Sequence, residues 1–216
     1  MTSALLVVAM VGFAGGAAGA LSSSRSRVVV VAVFTVAASL GALVLSLDVL
    51  ATGRVVRFAT SRVLPVTGIS LHLDPMGAIF VAVIAAVAVA VAIFSVGYAT
   101  HRPMTRTSAV AFPVFVTAML LVPAAWSVST FLFCWELMAL SSLALVLTDY
   151  RRSDAVRSAG LWYAVLTQVG AAAIAFGLLL LAANSGGQGF SVMAAHAGGL
   201  SSWTRATVFL VVLAGF

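Results

Sequence analysis

The chain has 216 residues, 63% of them hydrophobic and 7% charged, against about 25% charged in a soluble domain. Its formal charge of +6 rests entirely on arginines, which stand singly or in small groups between apolar runs; that spacing excludes a nucleic-acid-binding surface and makes them markers of membrane topology. The one cysteine, Cys134, excludes an internal disulfide and is expected to pack inside an apolar run.

Apolar runs mark an all-α, polytopic transmembrane helix bundle. Spans are predicted near 4–21, 28–47, 75–98, 108–123, 128–148 and 158–183, each near the ~20 residues that cross a bilayer. The first ends in the Ala-rich stretch Ala17–Ala20 but has no basic lead, so it reads as a span and not as a signal peptide. The fourth is expected to be short, bounded by Pro113 and Pro123. The last run, Trp203–Phe216, is too short to cross and is expected to be the cut beginning of a seventh span. Residues 1–216 thus read as a single membrane domain, the N-terminal part of a longer subunit.

Arginine counts in the short loops set the expected orientation. Arg25, Arg27, Arg102, Arg106, Arg151, Arg152 and Arg157 follow spans one, three and five; Arg54, Arg57, Arg62 and Arg205 fall in the other loops. The first set is assigned to the cytoplasm and the N-terminus to the outside of the cell inner (plasma) membrane. Residues 48–74 carry Val55–Val56 and the alternating Ile69–Leu73 around Pro65–Gly68, the pattern of a short external β-hairpin. Asp74 followed by Pro75 predicts an N-cap and first turn for the third helix. Phe190–His196 is expected to lie along the outer interface. Trp126, Trp203, Tyr98 and Tyr150 stand at span ends, as interfacial anchors do.

His72, His101 and His196 have no second ligand at metal spacing, and no phosphate-cradling Gly loop or nucleophile elbow occurs, so neither metal nor cofactor is expected on this chain. Four of the five acids lie at span ends or in loops; Glu136 lies eight residues into the fifth span. An ionisable group at mid-span costs on the order of 2.5–3.5 kcal/mol on insertion scales, and packing alone would be met by Leu or Met. Glu136 is therefore the predicted proton-transfer residue, since a carboxyl at low dielectric with a cation nearby can load and release a proton. No lysine exists in the sequence and no arginine falls mid-span, so its cationic partner is expected elsewhere. Ser129, one heptad before Glu136, and Thr167 and Gln168 near the middle of span six are candidates for a proton path or for contacts between helices. Gly160, Ala164, Ala171 and Ala175 offer a small-residue face for close helix approach.

The run Phe131–Ser142, Phe-Leu-Phe-Cys-Trp-Glu-Leu-Met-Ala-Leu-Ser-Ser, resembles the fifth helix of the antiporter-like, proton-conducting membrane subunits. These serve NADH–quinone oxidoreductase, hydrogenase-4 and formate hydrogenlyase, and the multisubunit sodium/proton antiporters. Ser158–Gly170 resembles their sixth helix, Leu71–Phe80 the lead into their third, and Gly189–Ala197 the loop before their seventh. Ser141, Ser142 and the Arg151-Arg152 loop are more similar to the hydrogenase type. The resemblance implies that Glu136 pairs with a lysine on a broken seventh helix, in a Gly-x-Lys segment that would follow Phe216. It also implies a non-redox membrane subunit that moves protons beside other membrane and peripheral subunits of an oxidoreductase complex. The alternatives are a secondary ion or solute antiporter, or a truncated scaffold subunit that does not transport.

Overall fold

The computed structural model describes residues 4–60, 68–101, 103–149 and 154–216. In order these form α1 (Ala4–Leu21), α2 (Arg27–Thr52), β1 (Val56–Thr60), β2 (Ile69–Leu73), α3 (Pro75–Tyr98), α4 (Arg106–Leu121), α5 (Val128–Val146), α6 (Asp154–Ser185), α7 (Phe190–His196) and α8 (Ser202–Gly215). Six helices, α1 to α6, are long and apolar enough to cross a membrane, α4 with its 3-10 extension to Ala124. The protein is a polytopic helical membrane bundle with a small two-stranded sheet.

Local chemistry explains most of the boundaries. Asp74 caps α3 by accepting the Gly77 N–H at 2.7 Å, with Pro75 at the first helical position. Ser127 caps α5 through Thr130, and Ser201 caps α8 through Thr204. α2 runs five residues beyond the predicted span, through Asp48, and stops at Gly53, whose φ of 66° closes the helix with an N–H bond to Val49 O. Pro113 does not bound the fourth helix as the sequence suggests; it sits buried inside α4. A proline inside a helix removes one backbone donor, which membrane helices tolerate when neighbours pack around the defect. Here Thr117 Oγ1 donates to Pro113 O at 2.7 Å, and α1 presses its glycines against the same stretch.

The main core lies among α1, α2, α3 and α4. α1 presents Gly12, Gly15, Gly16 and Gly19 as one buried face. A Cβ on Gly12 would strike Thr117, and one on Gly19 would come 2.5 Å from Val31 Cγ2 and 3.2 Å from Ala109. Their absence lets α2 and α4 approach together, so packing rather than hydrophobic exclusion joins these helices.

Each end of the bundle is sewn differently. At one end, β1 and β2 pair antiparallel with Val56 opposite Leu73 and Phe58 opposite Leu71, and the alternate residues Val56, Leu71 and Leu73 turn inward. Trp126 N–H donates to Ser70 O at 2.9 Å, Phe190 N–H to Trp126 O at 3.2 Å, and Val128 N–H to Gln188 O at 2.9 Å. The loops after α2, α4 and α6 are thus tied together. The predicted hairpin is present, with its tip, residues 61–67, outside the described residues. Trp126 is half-buried against His72, ring centroids 4.0 Å apart, so it is a strut of this end as well as a residue at a span boundary.

At the other end Arg27 is 7% exposed. Its guanidinium donates to Gly19 O at 3.3 Å, Ser22 O at 3.1 Å and Met104 O at 3.0 Å. The carbonyls left over at the α1 C-terminus are met by a cation, which also suits the negative end of the α1 dipole. Arg27 therefore fastens the α1–α2 loop to the α3–α4 loop. Among the other arginines counted for topology, Arg62, Arg102, Arg151 and Arg152 lie outside the described residues, as does Tyr150.

Candidate functional site

Glu136 occupies the ninth of the nineteen positions of α5, and Gln168 the fifteenth of the thirty-two of α6. Both are mid-helix and face each other: Gln168 Nε2 donates to Glu136 Oε2 at 3.1 Å. Glu136 is half-buried. Among the described residues it makes no ion pair; the described pair Arg157–Asp154, 3.5 Å apart, lies at the exposed start of α6. An amide next to a carboxyl is a partner for either protonation state. Its N–H₂ donates to the carboxylate, and its carbonyl oxygen can accept from the neutral acid.

One turn before Glu136 lies an aromatic wall. Trp135 stacks on Phe131 at 5.6 Å and meets Phe216 edge-on at 5.2 Å, while Phe190 of α7 packs edge-on against Phe131 at 6.3 Å. Met193 of α7 is buried with Val128 and Ala182, so α7 seals the hairpin end of α5 and α6. Cys134 and Ala139 are buried. Glu136 thus has apolar neighbours along its own helix and a polar one across to α6.

The other sequence candidates separate. Gln168 joins Glu136. Thr167 donates its hydroxyl to Tyr163 O at 2.7 Å, within its own helix. Ser129 lies in the first turn of α5, 3.3 Å from Ser127 Oγ, on a shallow depression it shares with Ser70 and Ile69 of the hairpin. It is not brought to Glu136 by any described hydrogen bond. Of the small-residue face, Gly160 abuts Leu147 and Ala171 is buried. The tightest α6–α8 approach uses Gly170, where a Cβ would come 2.6 Å from Gly215 O, and Gly177, where it would come 2.5 Å from Val212 Cγ2.

Two polar links were not anticipated. Ser142 Oγ and Tyr163 OH lie 2.5 Å apart, joining α5 to α6, and Ser108 Oγ and Thr148 Oγ1 lie 3.2 Å apart, joining α4 to the end of α5. A sequence signal existed for the first: a tyrosine ten residues into an apolar helix has a hydroxyl that needs a partner. Among the described residues no three His, Cys, Asp or Glu side chains gather as a metal site.

Residues 125–216, which contain α5 through α8, match the family described as NADH:quinone oxidoreductase/Mrp antiporter, transmembrane. Residues 125–216 thus carry the signature of the proton-antiporter-like membrane subunit family. Two proteins of Mycobacterium tuberculosis, Uncharacterized protein MT0090 (strain CDC 1551 / Oshkosh) and Uncharacterized protein Rv0083 (strain ATCC 25618 / H37Rv), are each 48% identical over 153 residues, 71% of this chain. The match covers 23% of those relatives' length, so the chain spans about a quarter of them. Among solved structures, the membrane-bound sulfane sulfur reductase, an archaeal respiratory membrane complex, aligns over 99% of this chain and 43% of its own with a TM-score of 0.77 and 20% identity. The Mrp complex from Dietzia sp. DQ12-45-1b aligns over 98% of this chain and 23% of its own, with a TM-score of 0.80 and 15% identity. At these identities the likeness to both structures is one of fold. Glu136, Gln168, Ser142 and Tyr163 all fall in the part matched by the family.

Proposed function

We propose that this chain is part of a proton-translocating membrane subunit of a respiratory NADH dehydrogenase or group 4 hydrogenase-type complex, in which Glu136 binds and releases the transported proton. The observation that carries the reading is a mid-span carboxyl held by Gln168 across the α5–α6 contact. A half-buried acid without a described counter-ion is costly to keep in a membrane. It becomes useful when a cation approaches and withdraws, because proton affinity then follows the distance of that charge. In this reading the cation belongs to another part of the assembly, since the sequence has no lysine. Redox chemistry belongs to partner subunits, both membrane and peripheral; this subunit holds no cofactor and moves charge only.

The reading includes an orientation, with the N-terminus and the hairpin end outside the plasma membrane and the Arg27 end in the cytoplasm. Cysteines at Ser24 and Gly187, in a background where Cys134 is replaced, test it. Ser24→Cys should react with an impermeant reagent from the cytoplasmic face and Gly187→Cys from the outer face; the reverse pattern overturns the orientation.

The functional test is Glu136→Gln in the assembled complex in membrane vesicles. Gln keeps shape and hydrogen bonding but cannot ionise. Proton flux should fall to background while complex assembly stays near wild type. Glu136→Asp keeps the charge and shortens its reach by one methylene, so it should retain part of the flux. Normal flux in Glu136→Gln would end this reading in favour of a structural carboxyl.

A further inference from the structure

Toward the Arg27 end, the last turns of α5 and the first turns of α6 part to leave a groove that the Glu136 site does not use. Leu143, Ala144 and Leu147 line it from α5, and Gly160, Leu161 and Ala164 from α6. Its volume is about 570 Å³, inside the roughly 300–1,000 Å³ of small-molecule sites. From Arg157 to Ala164 it follows α6 for roughly 10 Å, against the ~15 Å of hydrocarbon in one leaflet. The polar side chains that line it stand together at one end: Thr107 in the first turn of α4, Thr148 just past α5, and Arg157 in the first turn of α6. The hydroxyls of Ser108 and Thr148, 3.2 Å apart, fasten α4 to that end of α5. Gly160 keeps α6 free of a side chain where it meets Leu147. The groove is therefore polar at its mouth and apolar in its depth, along the direction in which a membrane changes from headgroup to hydrocarbon.

Chemistry selects the occupant. An ordered water needs two to four polar partners, and no polar side chain lines the deep end among the described residues. Hydrocarbon meets only its own kind there. At the mouth, the Arg157 guanidinium lies 3.5 Å from the Asp154 carboxylate, with the two side chains 66% and 94% exposed. So exposed a pair holds itself weakly, and each partner is free to turn to another charge. A guanidinium presents a planar fork that matches two phosphate oxygens. The Thr107 hydroxyl, without a described hydrogen bond, adds a donor beside it. Asp154 repels a headgroup of net negative charge and accepts from a primary ammonium, whereas a choline head has no N–H to give. The pair thus complements the phosphate and the ammonium of an ethanolamine head, one charge each. The cavity between α3 and α4, about 240 Å³ with walls such as Val83, Val87 and Phe112, has no such polar end.

We propose that this groove is a binding site for one phosphatidylethanolamine molecule. One acyl chain lies along α5 and α6 with its inner part against Leu143 and Ala164. The phosphate is held by Arg157 and Thr107, and the ammonium by Asp154. The lipid fills the gap that α4, α5 and α6 leave at the Arg27 end and so acts as a wedge between them. A ligand that binds only the folded bundle also stabilises it by mass action. The site stands whether or not Glu136 carries the proton.

The test uses the assembled complex in phosphatidylcholine vesicles, with a trace of phosphatidylethanolamine whose acyl chain carries a photoactivatable diazirine. Illumination should place adducts on residues 143–147 and 160–164. Unlabelled phosphatidylethanolamine should displace them at about a tenth of the concentration that phosphatidylcholine or phosphatidylglycerol needs, the difference one charge-assisted contact makes. Arg157→Gln should lower the adduct yield about tenfold for the same reason. Asp154→Asn should keep the adducts and lose the preference for ethanolamine over choline. Ala164→Trp fills the groove and should abolish them, while Val87→Trp, in the α3–α4 cavity, should leave them in place. Arg157 and Asp154 are exposed, so their variants keep the test readable if Trp disturbs packing. Equal displacement by all three lipids, or adducts indifferent to Arg157→Gln, would reveal ordinary boundary lipid and overturn the site. Preference for phosphatidylglycerol would overturn it through Asp154. Groove residues that take no adduct would lie under a protein helix of a partner, and the lipid site would be wrong.

Discussion

The two halves of the bundle are built on opposite principles. α1 to α4 meet through glycine and alanine, with Gly12, Gly15, Gly16 and Gly19 bringing backbones together and a large buried cluster behind them that runs from Leu5 to Ala124 and takes in Cys134 of α5. α5 and α6 meet through polar pairs, and their buried apolar cluster is small, built on Val128, Ala182 and Met193. In a membrane, where lipid is as apolar as any core, close packing and hydrogen bonding are the two ways helices hold each other. The first half uses packing and has no mid-span ionisable group among its described residues. In the second, glycine packing joins α6 to α8, while the α5–α6 contact uses polar bonds and carries Glu136. Rigid frame and chemical seam are thereby separated along the chain, and substitutions should separate assembly from transport accordingly.

The widest separation should come from placing the same side chain in each half. Glu136→Leu removes the only mid-span carboxyl of α5 and should insert at least as well as wild type, because the desolvation cost disappears, while proton flux falls to background. Gly12→Leu should do the reverse. It drives a side chain into Thr117 and forces α1 from α4, an overpacking that costs about 1–3 kcal/mol where neighbours can yield. Membrane level and thermal stability of the purified complex should drop, with flux per assembled complex near normal. Equal loss of assembly in both variants would erase the distinction between the halves.

Arg27 sharpens the comparison from within the frame. It is the frame's polar exception, a buried guanidinium on three carbonyls. Arg27→Met keeps the apolar stem but leaves Gly19 O, Ser22 O and Met104 O short of donors, at about 1–3 kcal/mol for a buried polar group left unmet. Arg27→Lys should recover only part, since an ammonium cannot reproduce the planar fork. Melting of the purified complex reads the difference; a Met variant as stable as wild type would make Arg27 a topology signal alone.

The frame and the seam were not equally legible in the sequence. Hydropathy and helix length located the six described helices that are long and apolar enough to cross, and Asp74-Pro75 located the start of α3, because these depend on residue types within one segment. Glu136 stood out because a mid-span acid is costly. Its link to Gln168 did not, although both residues were singled out, because rotation of α6 about its axis decides which of its residues meet α5. The same holds for Ser142 and Tyr163, twenty-one residues apart. Arg27 was read as a loop charge because most arginines flanking spans are solvated; only the fold shows it roofed by three carbonyls. Pro113 was read as a boundary because a proline breaks a helix in water, whereas here Thr117 and the α1 glycines support it inside one.

The smallest expected effect lies at the hairpin, which ties frame to seam. His72 pairs across the strands with Arg57 and stacks on Trp126, whose backbone binds both Ser70 of the hairpin and Phe190 of α7. Burial, and then the Arg57 charge, hold the His72 imidazole below its usual 6.5, with Asp74 opposing them incompletely. The sign follows from linkage. Above pH 6.5 the imidazole is neutral whether the hairpin is closed or open, and closure has its full stability. As pH falls below 6.5 the open form takes up a proton first, so closure weakens, until the closed-state pKa is also passed. Amide exchange in Val56–Thr60 and Ile69–Leu73, corrected for intrinsic rates, should therefore quicken at pH 5.5 relative to pH 7.5. His72→Phe keeps a ring on Trp126 and cannot titrate, so its corrected exchange should be the same at both pH values. Wild-type exchange that slows on acidification would reverse the sign and refute the assignment, and a Phe variant with the wild-type pH response would move the titration to another group.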